Sequence, residues 1–486
     1  MRLSELLREV EFEGSIKNDF DIKFVTDDSR LVRPGALFVC IRHRSFDGHT
    51  AAAEALASGA AAVVTQERLG LENELNVVDS RAAYARLCAA LCGHPERKFR
   101  MIGVTGTNGK TTVTTLIRNI LSDSGIKTLL TGTVCNRLGE ESLPSGLTTP
   151  KPPELYSLLS RAVLSGCEAC VAEASSQALA QGRLEGIAFD AAVFTNITRD
   201  HLDYHGTFEN YLAAKKKLFK HSEVSAVNLD DPRADEIIAA SSGKTVTFST
   251  VLDCADYTAK NISLLPEGVS FELVSKGRIE HINFASPGLF SVSNAMAAAV
   301  CAINLGVDPR SAAQSLARSK GVCGRLERVE CGTPYSVIID YAHTPDGLEQ
   351  VLRALRPSCR GKLIVLFGCG GDRDKTKRPL MGAAACKYAD TVVVTSDNPR
   401  SEEPMRIIGD ILKGTDKKRR GLFIEEDRRR ATALALSLAK PGDTVLLAGK
   451  GHEKYQLICG EKLPLDERET VREILGLPHD TGRKKP

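Results

Sequence analysis

The sequence predicts an α/β protein in which three domains are built around mostly parallel sheet. Three observations lead there. At 486 residues the chain has room for about three domains with large buried cores. Short apolar runs alternate with helical patterns from end to end, and the alternation restarts near residues 99 and 332. Finally, MIGVTGTNGKTTVTTLIRNIL, from Met101 to Leu121, runs from an apolar strand through a glycine loop into a helix. The expected domains are therefore 1–98, 99–331 and 332–486.

Composition excludes several classes. Lys and Arg total 64 against 61 Asp and Glu, a net charge of +3, too even for a partner the size of a nucleic acid duplex. The segment MRLSELLREVEFEG is charged throughout, and no stretch offers the roughly 18 apolar residues of a membrane span. A cytoplasmic protein without membrane insertion is expected. Fourteen scattered cysteines, mostly in apolar stretches, read as small core residues in a reducing compartment. Cys167 and Cys170 form a C-x-x-C, but no second pair or suitably spaced histidines accompany it, so packing accounts for them.

In the first domain, DIKFVTDDSR and GALFVCI carry strands, TAAAEALASGAAAVVTQ reads as an Ala-rich helix, and AAYARLCAALCG as another. The polar run His94-Pro95-Glu96-Arg97-Lys98 closes the domain. Asp27-Asp28-Ser29-Arg30, Arg33-Pro34-Gly35 and Phe46-Asp47-Gly48-His49 are explained by turn chemistry.

The second domain opens on the glycine loop. Backbone N–H groups of Gly106, Thr107, Asn108, Gly109, Lys110, Thr111 and Thr112 converge as a strand feeds a helix N-terminus, which suits a polyphosphate. Lys110 brings a point charge to the β/γ oxygens, and the Thr111 hydroxyl suits Mg2+. ATP is the expected ligand. The spacing departs from G-x-x-x-x-G-K-[ST], since Val104 stands at the first glycine position with Gly103 and Gly106 on either side.

KTLLTGT, ACVAEASS, DAAVFTNIT and SAVNLDD supply further strands. Ligands of such sheets bind beyond the carboxyl ends, which singles out Glu173-Ala174-Ser175-Ser176-Gln177, the stretch Thr195 to Gly206, and Asn228-Leu229-Asp230-Asp231. Glu173 and His205 are candidate Mg2+ ligands opposite Thr111. His201 and His205 have the spacing of a helical zinc pair, but Gly206 argues against a continuing helix. The following helix, Phe208 to Phe219, holds Lys215-Lys216-Lys217, whose simplest reading is a solvated basic face. A strand-rich excursion, YTAKNISLLPEGVSFELVSKGRIEHINF, then precedes a helix expected over residues 292–305.

The third domain restarts with VIIDYAHTPDGLEQVL, KLIVLFGCGGDRDKTKRPLM, DTVVVTSDNPR and DTVLLAGKGHEKYQ. Each strand ends in a charged or glycine-rich loop: Asp340 to His343, Gly370 to Arg373, Asp397 to Arg400 and Gly449 to Glu453. Four such loops on one sheet edge imply a second ligand site.

T-G-T-N-G-K-T-T, E-A-S-S, T-N-I-T-R-D-H-L-D-Y-H-G, L-F-S-V-S-N-A-M-A-A, G-R-L-E, D-Y-A-H-T-P-D, G-G-D-R-D-K and D-N-P-R occur in this order over essentially the whole chain. Together they resemble the ATP-dependent Mur ligase family of peptidoglycan synthesis. D-D-S-R, G-G-D-R-D-K-x-K-R-P-L-M and D-N-P-R resemble those members that add meso-2,6-diaminopimelate. The resemblance implies a UDP-binding first domain, a central ATPase domain and a Rossmann-like third domain that closes on ligands, working as a monomer on small-molecule substrates. By motif, Ser29 contacts the uridine end of the substrate, and Thr148, Thr149, Ser175, Gln181 and Arg183 hold its dipeptide end. Gly106 to Thr112 cradle phosphates, and Asn294, Arg325, Asp340 and His343 surround the nucleoside. Thr111, Glu173 and His205 hold Mg2+, together with Lys215 as a carbamate (N6-carboxylysine); Lys110, Lys215, Glu173 and His205 are the catalytic set. Arg373, Asp397, Asn398, Pro399, Arg400, Gly449 and Glu453 bind diaminopimelate.

The implied reaction activates the D-Glu side-chain carboxylate of UDP-N-acetylmuramoyl-L-alanyl-D-glutamate as an acyl phosphate, which the incoming amine converts to an amide. Arg400 and Arg373 offer planar forks to a distal carboxylate that lysine lacks, so diaminopimelate is expected over lysine. Gln177, where relatives carry His, and Cys323, where they carry Pro, depart from the pattern. The competing readings are lysine as the added amino acid, another ligase of the superfamily, or a non-catalytic ATP-binding relative.

Overall fold

The computed structural model describes residues 1–43, 46–265, 267–416 and 420–478. The chain divides into two compact units, one of 1–257 with 297–312 and one of 258–296 with 313–486.

The first unit carries two sheets. The smaller is all parallel, in the order Phe24–Thr26, Ala36–Val39, Ala60–Thr65, Glu74–Asn76. Its third strand corrects the sequence reading, for the Ala-rich stretch is not one helix. A helix over Ala52–Ala57 stops before Gly59 (φ +99°), and Ala60–Thr65 is a fully buried strand paired on both edges. Burial between neighbours and the β-branched pair Val63-Val64 override alanine's helix preference.

The larger sheet of this unit runs Lys244–Ser249, Ser222–Asn228, Phe189–Phe194, Arg100–Thr105, Ala169–Glu173, Thr128–Thr131, all parallel, and then turns antiparallel through Asn136–Leu138 and Glu141–Leu143. The strand feeding the glycine loop is thus central. Register sets Val104 beside Glu173 and Thr105 beside Phe194, so the candidate loops leave one edge at one level. Helix Lys110–Asp123 presses Val113, Leu116, Ile117, Ile120 and Leu121 into the core, the i, i+3, i+4 stripe of an amphipathic helix. Each such side chain contributes about 1.5–3 kcal/mol of burial.

The second unit holds an antiparallel meander of Tyr257–Leu265, Gly268–Ser275 and Arg278–Phe284. Its main sheet runs Glu327–Val329, Ser336–Asp340, Thr444–Ala448, Leu363–Phe367, Thr391–Val394, Leu422–Ile424, parallel except for the first strand. Ile338, Val365, Phe367, Val392, Val394 and Leu446 pack on one face, and Val337, Ile339, Ile364, Leu366, Val393 and Val445 on the other. Coverage of both faces explains why these strands read as continuous apolar runs. The helix expected to begin at Val292 spans Leu289–Asn304; the chain turns at Gly288 (φ +91°) and the helix starts immediately after it. All cysteines are free, and Cys167 and Cys170 are buried.

Candidate active site

In the first unit the glycine loop is tied to the end of the neighbouring strand. The Thr107 amide donates to the Asn196 carbonyl (2.8 Å), the Asn108 amide to Asn196 Oδ1 (3.0 Å), and Thr195 Oγ1 to the Asn108 carbonyl (2.6 Å). A Cβ on Gly106 would lie 1.9 Å from Thr195 Oγ1, so only glycine lets the two segments approach this closely. Gly109, in the left-handed region at φ +87°, caps the helix that Lys110 begins. Lys110 Nζ folds over the loop and donates to the Gly106 and Thr107 carbonyls, at 2.8 Å each.

Thr111 and Glu173 meet as expected: Thr111 Oγ1 donates to Glu173 Oε2 at 3.1 Å, and the Thr133 amide and hydroxyl hold the same carboxylate at 2.8 and 3.0 Å. Glu173 is 1% exposed, aligned by the strand register already described. His205 is buried with Nε2 3.0 Å from Ser176 Oγ, and helix Leu202–His205 ends at Gly206 (φ +78°), so His201 and His205 do not share a continuing helix. Among the described residues no three His, Cys, Asp or Glu side chains gather as metal ligands.

Of the three lysines, Lys215 alone departs from the solvated face, while Lys217 is exposed. Lys215 is 1% exposed on helix Phe208–Phe219, with Nζ 4.6 Å from the Tyr211 ring centroid, whereas Lys216 pairs with Glu236 at 2.7 Å. Burial, and then the charge of Lys110, hold the Lys215 amine well below the usual lysine range. Tyr211, which sequence reasoning did not single out, links the set: its hydroxyl lies 2.9 Å from Thr107 Oγ1 and its ring 5.2 Å from that of His205. Its i, i+4 spacing from Lys215 was the available signal.

The residues assigned to the dipeptide end form one network. Thr149 Oγ1 donates to the Glu173 carbonyl (2.6 Å) and lies 3.1 Å from Ser175 Oγ, while Thr133 Oγ1 and Thr148 Oγ1 are 3.1 Å apart. Arg183 donates to the Thr149 carbonyl (2.7 Å) and to Gln181 Oε1 (2.7 and 2.9 Å). Ser29 opens a short 3-10 turn capped by Asp28. Beside it, the Asp27 side chain, 8% exposed, accepts from Lys151 at 3.1 Å and from the Tyr84 hydroxyl at 3.2 Å, and Lys151 lies two residues beyond Thr149.

In the second unit, four loops leave the carboxyl ends of Ser336–Asp340, Leu363–Phe367, Thr391–Val394 and Thr444–Ala448. Thr444–Ala448 enters between the first two, a reversal of strand order of the kind that opens a ligand crevice. Buried Asp340 accepts from the Leu326 and Ala342 amides, both at 2.7 Å; burial raises its pKa against the pull of Arg325. The Arg325 guanidinium lies 4.9 Å from the Tyr341 ring centroid, and that ring 4.8 Å from His343 and 5.1 Å from His452. Asn294 is buried on its helix.

Asp397, Asn398 and Pro399 are all buried. Burial pushes the Asp397 carboxyl up, but Lys450 and Arg428 more than offset it and leave it below the usual range. Asn398 Nδ2 donates to Glu453 Oε2 at 2.9 Å. Gly449 (φ +110°) has no room for a side chain, since a Cβ would stand 2.7 Å from Asp397 Oδ2. Arg400, also in the left-handed region at φ +54°, is half-buried and donates to the Gly371 carbonyl at 2.6 Å. Arg373 is exposed on the neighbouring loop. That loop is fixed by Arg378, fully buried between Glu402 (2.8 Å) and Asp410 (3.0 Å), a pair sequence reasoning passed over.

The chain matches known proteins along most of its length. Residues 21–90 match the Mur ligase family catalytic domain, 104–302 the Mur ligase middle domain, and 324–451 the Mur ligase glutamate ligase domain. The chain is 43% identical over 487 residues to the UDP-N-acetylmuramoyl-L-alanyl-D-glutamate--2,6-diaminopimelate ligase of Syntrophomonas wolfei, covering 98% of this chain and 99% of that one. It is 41% identical to the ligase of the same name from Clostridium tetani, with the same coverage. A solved structure of a UDP-N-acetylmuramoyl-L-alanyl-D-glutamate--2,6-diaminopimelate ligase superposes with a TM-score of 0.72 at 34% identity, over 98% of this chain and 99% of that one. The chain belongs to the Mur ligase family.

Proposed function

We propose that the protein is an ATP-dependent amide ligase. It joins meso-2,6-diaminopimelate to the D-Glu side-chain carboxylate of UDP-N-acetylmuramoyl-L-alanyl-D-glutamate in cytoplasmic peptidoglycan precursor synthesis, acting as a monomer. The observation that carries the reading is the seating of Glu173 between the glycine-loop Thr111 and the Thr149–Ser175 pair, which joins a phosphate cradle to a substrate network inside one unit. Whole-chain identity to relatives named for this reaction supports it.

The substrate carboxylate takes the γ-phosphoryl group of ATP, releasing ADP and leaving an acyl phosphate. The amine of diaminopimelate attacks the acyl carbon and phosphate departs, forming the amide. Lys110, freed from the Gly106 and Thr107 carbonyls, places its charge on the transferring group, and the Thr149–Arg183 network orients the attacking carboxylate. Ser29 holds the uridine end, and Arg325, Asp340, His343 and Asn294 the nucleoside.

Thr111, Glu173, His205 and Lys215 would hold Mg2+. The donor set fits: a hydroxyl and a carboxylate already touch, and burial favours the neutral form of the Lys215 amine, the form that adds CO2 and loses a proton to become an anionic carbamate. When bound, the metal supplies neutralisation of phosphate charge. Asp397, Asn398 and Glu453 face the ammonium of the distal end of diaminopimelate, and Arg400 and Arg373 its carboxylate, with Pro399 and Gly449 shaping the backbone. The test is ADP release and product mass with the nucleotide dipeptide, ATP and either amino acid. An amide product with diaminopimelate and little with lysine is expected; no ADP release, or equal use of lysine, overturns the reading.

A further inference from the structure

The DNPR loop and the Gly449–Glu453 loop meet on a single buried cation. Lys450 is 0% exposed, and its Nζ donates to Asn398 Oδ1 and to the Tyr455 carbonyl (2.9 Å) while lying 3.3 Å from Glu453 Oε2 and 3.4 Å from Asp397 Oδ1. An ammonium has three N–H bonds. Two are taken by neutral carbonyl oxygens, so the carboxylates of Asp397 and Glu453 share what remains, and each keeps lone pairs for another donor. The orientation of the Asn398 amide follows from the same contacts. Its oxygen faces two pure donors, Lys450 Nζ and the Leu457 amide (2.9 Å), which turns its NH2 toward Glu453.

The charges around this point leave a deficit. Arg428, buried beneath it, donates to Glu467 (2.9 Å) and to the Ala448 carbonyl (2.8 Å), and Glu467 is itself 1% exposed. Two cations, Lys450 and Arg428, therefore face three carboxylates, Asp397, Glu453 and Glu467, and among the described residues His343, His452, Cys369 and the Tyr341 and Tyr455 phenols also interact with them. A buried cluster one positive charge short is matched by a ligand ammonium.

We propose that Lys450 is a positioning residue for the added amino acid, holding Asp397, Asn398 and Glu453 as one acceptor set for the ligand's distal ammonium. The inference rests on the ligase reading and deepens it. Without Lys450, Asn398 keeps only the Leu457 amide of the two donors that orient its oxygen, and the two carboxylates lose the cation between them, so they repel each other and the ligand's distal carboxylate.

The experiment measures KM for diaminopimelate, ATP and the nucleotide dipeptide separately, with kcat, in wild type, Lys450→Met and Lys450→Gln; the glutamine keeps hydrogen-bond donors without the charge. The expected result is a KM for diaminopimelate raised at least tenfold, with the other two within twofold and kcat falling less than KM rises. The acid limb of kcat/KM for diaminopimelate should move to higher pH in both variants, as Asp397 loses the Lys450 cation that helps hold its carboxyl below the usual range. An unchanged KM for diaminopimelate, a parallel rise of all three KM values, or failure of both variants to fold refutes the positioning role and leaves Lys450 a structural residue. A wild type that never couples ATP cleavage to diaminopimelate instead brings down the functional reading and this inference with it.

Discussion

Gly106→Ala tests the glycine loop. The added methyl would stand 1.9 Å from Thr195 Oγ1 and 3.1–3.2 Å from the Asn196 backbone. Either Thr195 leaves the Asn108 carbonyl, to which it donates at 2.6 Å, or the loop leaves Asn196. Overpacking costs about 1–3 kcal/mol, and each hydrogen bond lost costs about 1 kcal/mol. The total, roughly 2–4 kcal/mol, falls on the phosphate cradle and corresponds to a rise of roughly 30- to 700-fold in KM for ATP at 1.4 kcal/mol per tenfold. ADP release against ATP concentration reads it, with thermal melting as the folding control. Adding Thr195→Ala removes the closest atom and should recover about tenfold of the loss, a coupling expected only between residues in contact. An ATP KM within threefold of wild type, or a double variant weaker than the single one, would refute the packing argument.

Arg400→Ala removes the half-buried fork that we assign to the distal carboxylate. At about 2–3 kcal/mol, KM for diaminopimelate should rise roughly 30- to 140-fold while that for lysine hardly moves, and parallel rates with both amino acids measure it. Lys215→Ala should lower turnover about 100-fold or more, and wild-type activity should fall when bicarbonate is stripped from the buffer and return when it is restored. In bicarbonate-free buffer, where the Lys215 amine is unmodified, burial depresses it below 10.5 in the folded chain, so the unfolded chain binds more protons. Stability therefore rises with pH through the window below 10.5, and chemical denaturation of Lys215→Met should lack that slope. Arg428→Met strands buried Glu467 and should cost about 3–5 kcal/mol, which lowers the thermal midpoint of its unit by roughly 10 °C; a midpoint within 2 °C of wild type counts against the buried pair.

Local chemistry made much of this molecule legible before any coordinates. A strand, a glycine loop and a helix at residues 101–121 carry their own instructions, because the apolar run, the left-handed glycine and the amphipathic stripe all act within a few residues. The alternating strands of the second unit were equally readable, since burial on both faces writes itself as unbroken Val, Ile and Leu. Where two local tendencies compete, sequence misleads. TAAAEALASGAAAVVTQ suits a helix throughout, and only the neighbouring strands Ala36–Val39 and Glu74–Asn76 make its second half a strand.

The tertiary structure alone decided which charges are buried and what they face. Three consecutive lysines are indistinguishable by type, yet the helix turns Lys215 into the interior beside Tyr211 and leaves Lys216 to pair with Glu236. Likewise Lys450, one basic residue in a glycine-rich loop, becomes the centre of an acceptor cluster because strand Thr444–Ala448 enters next to Leu363–Phe367 and carries the loop beside Asp397. A carboxylate or an ammonium has the same covalent structure wherever it sits; its protonation, its partners and its use are set by dielectric and neighbours brought together from distant parts of the chain.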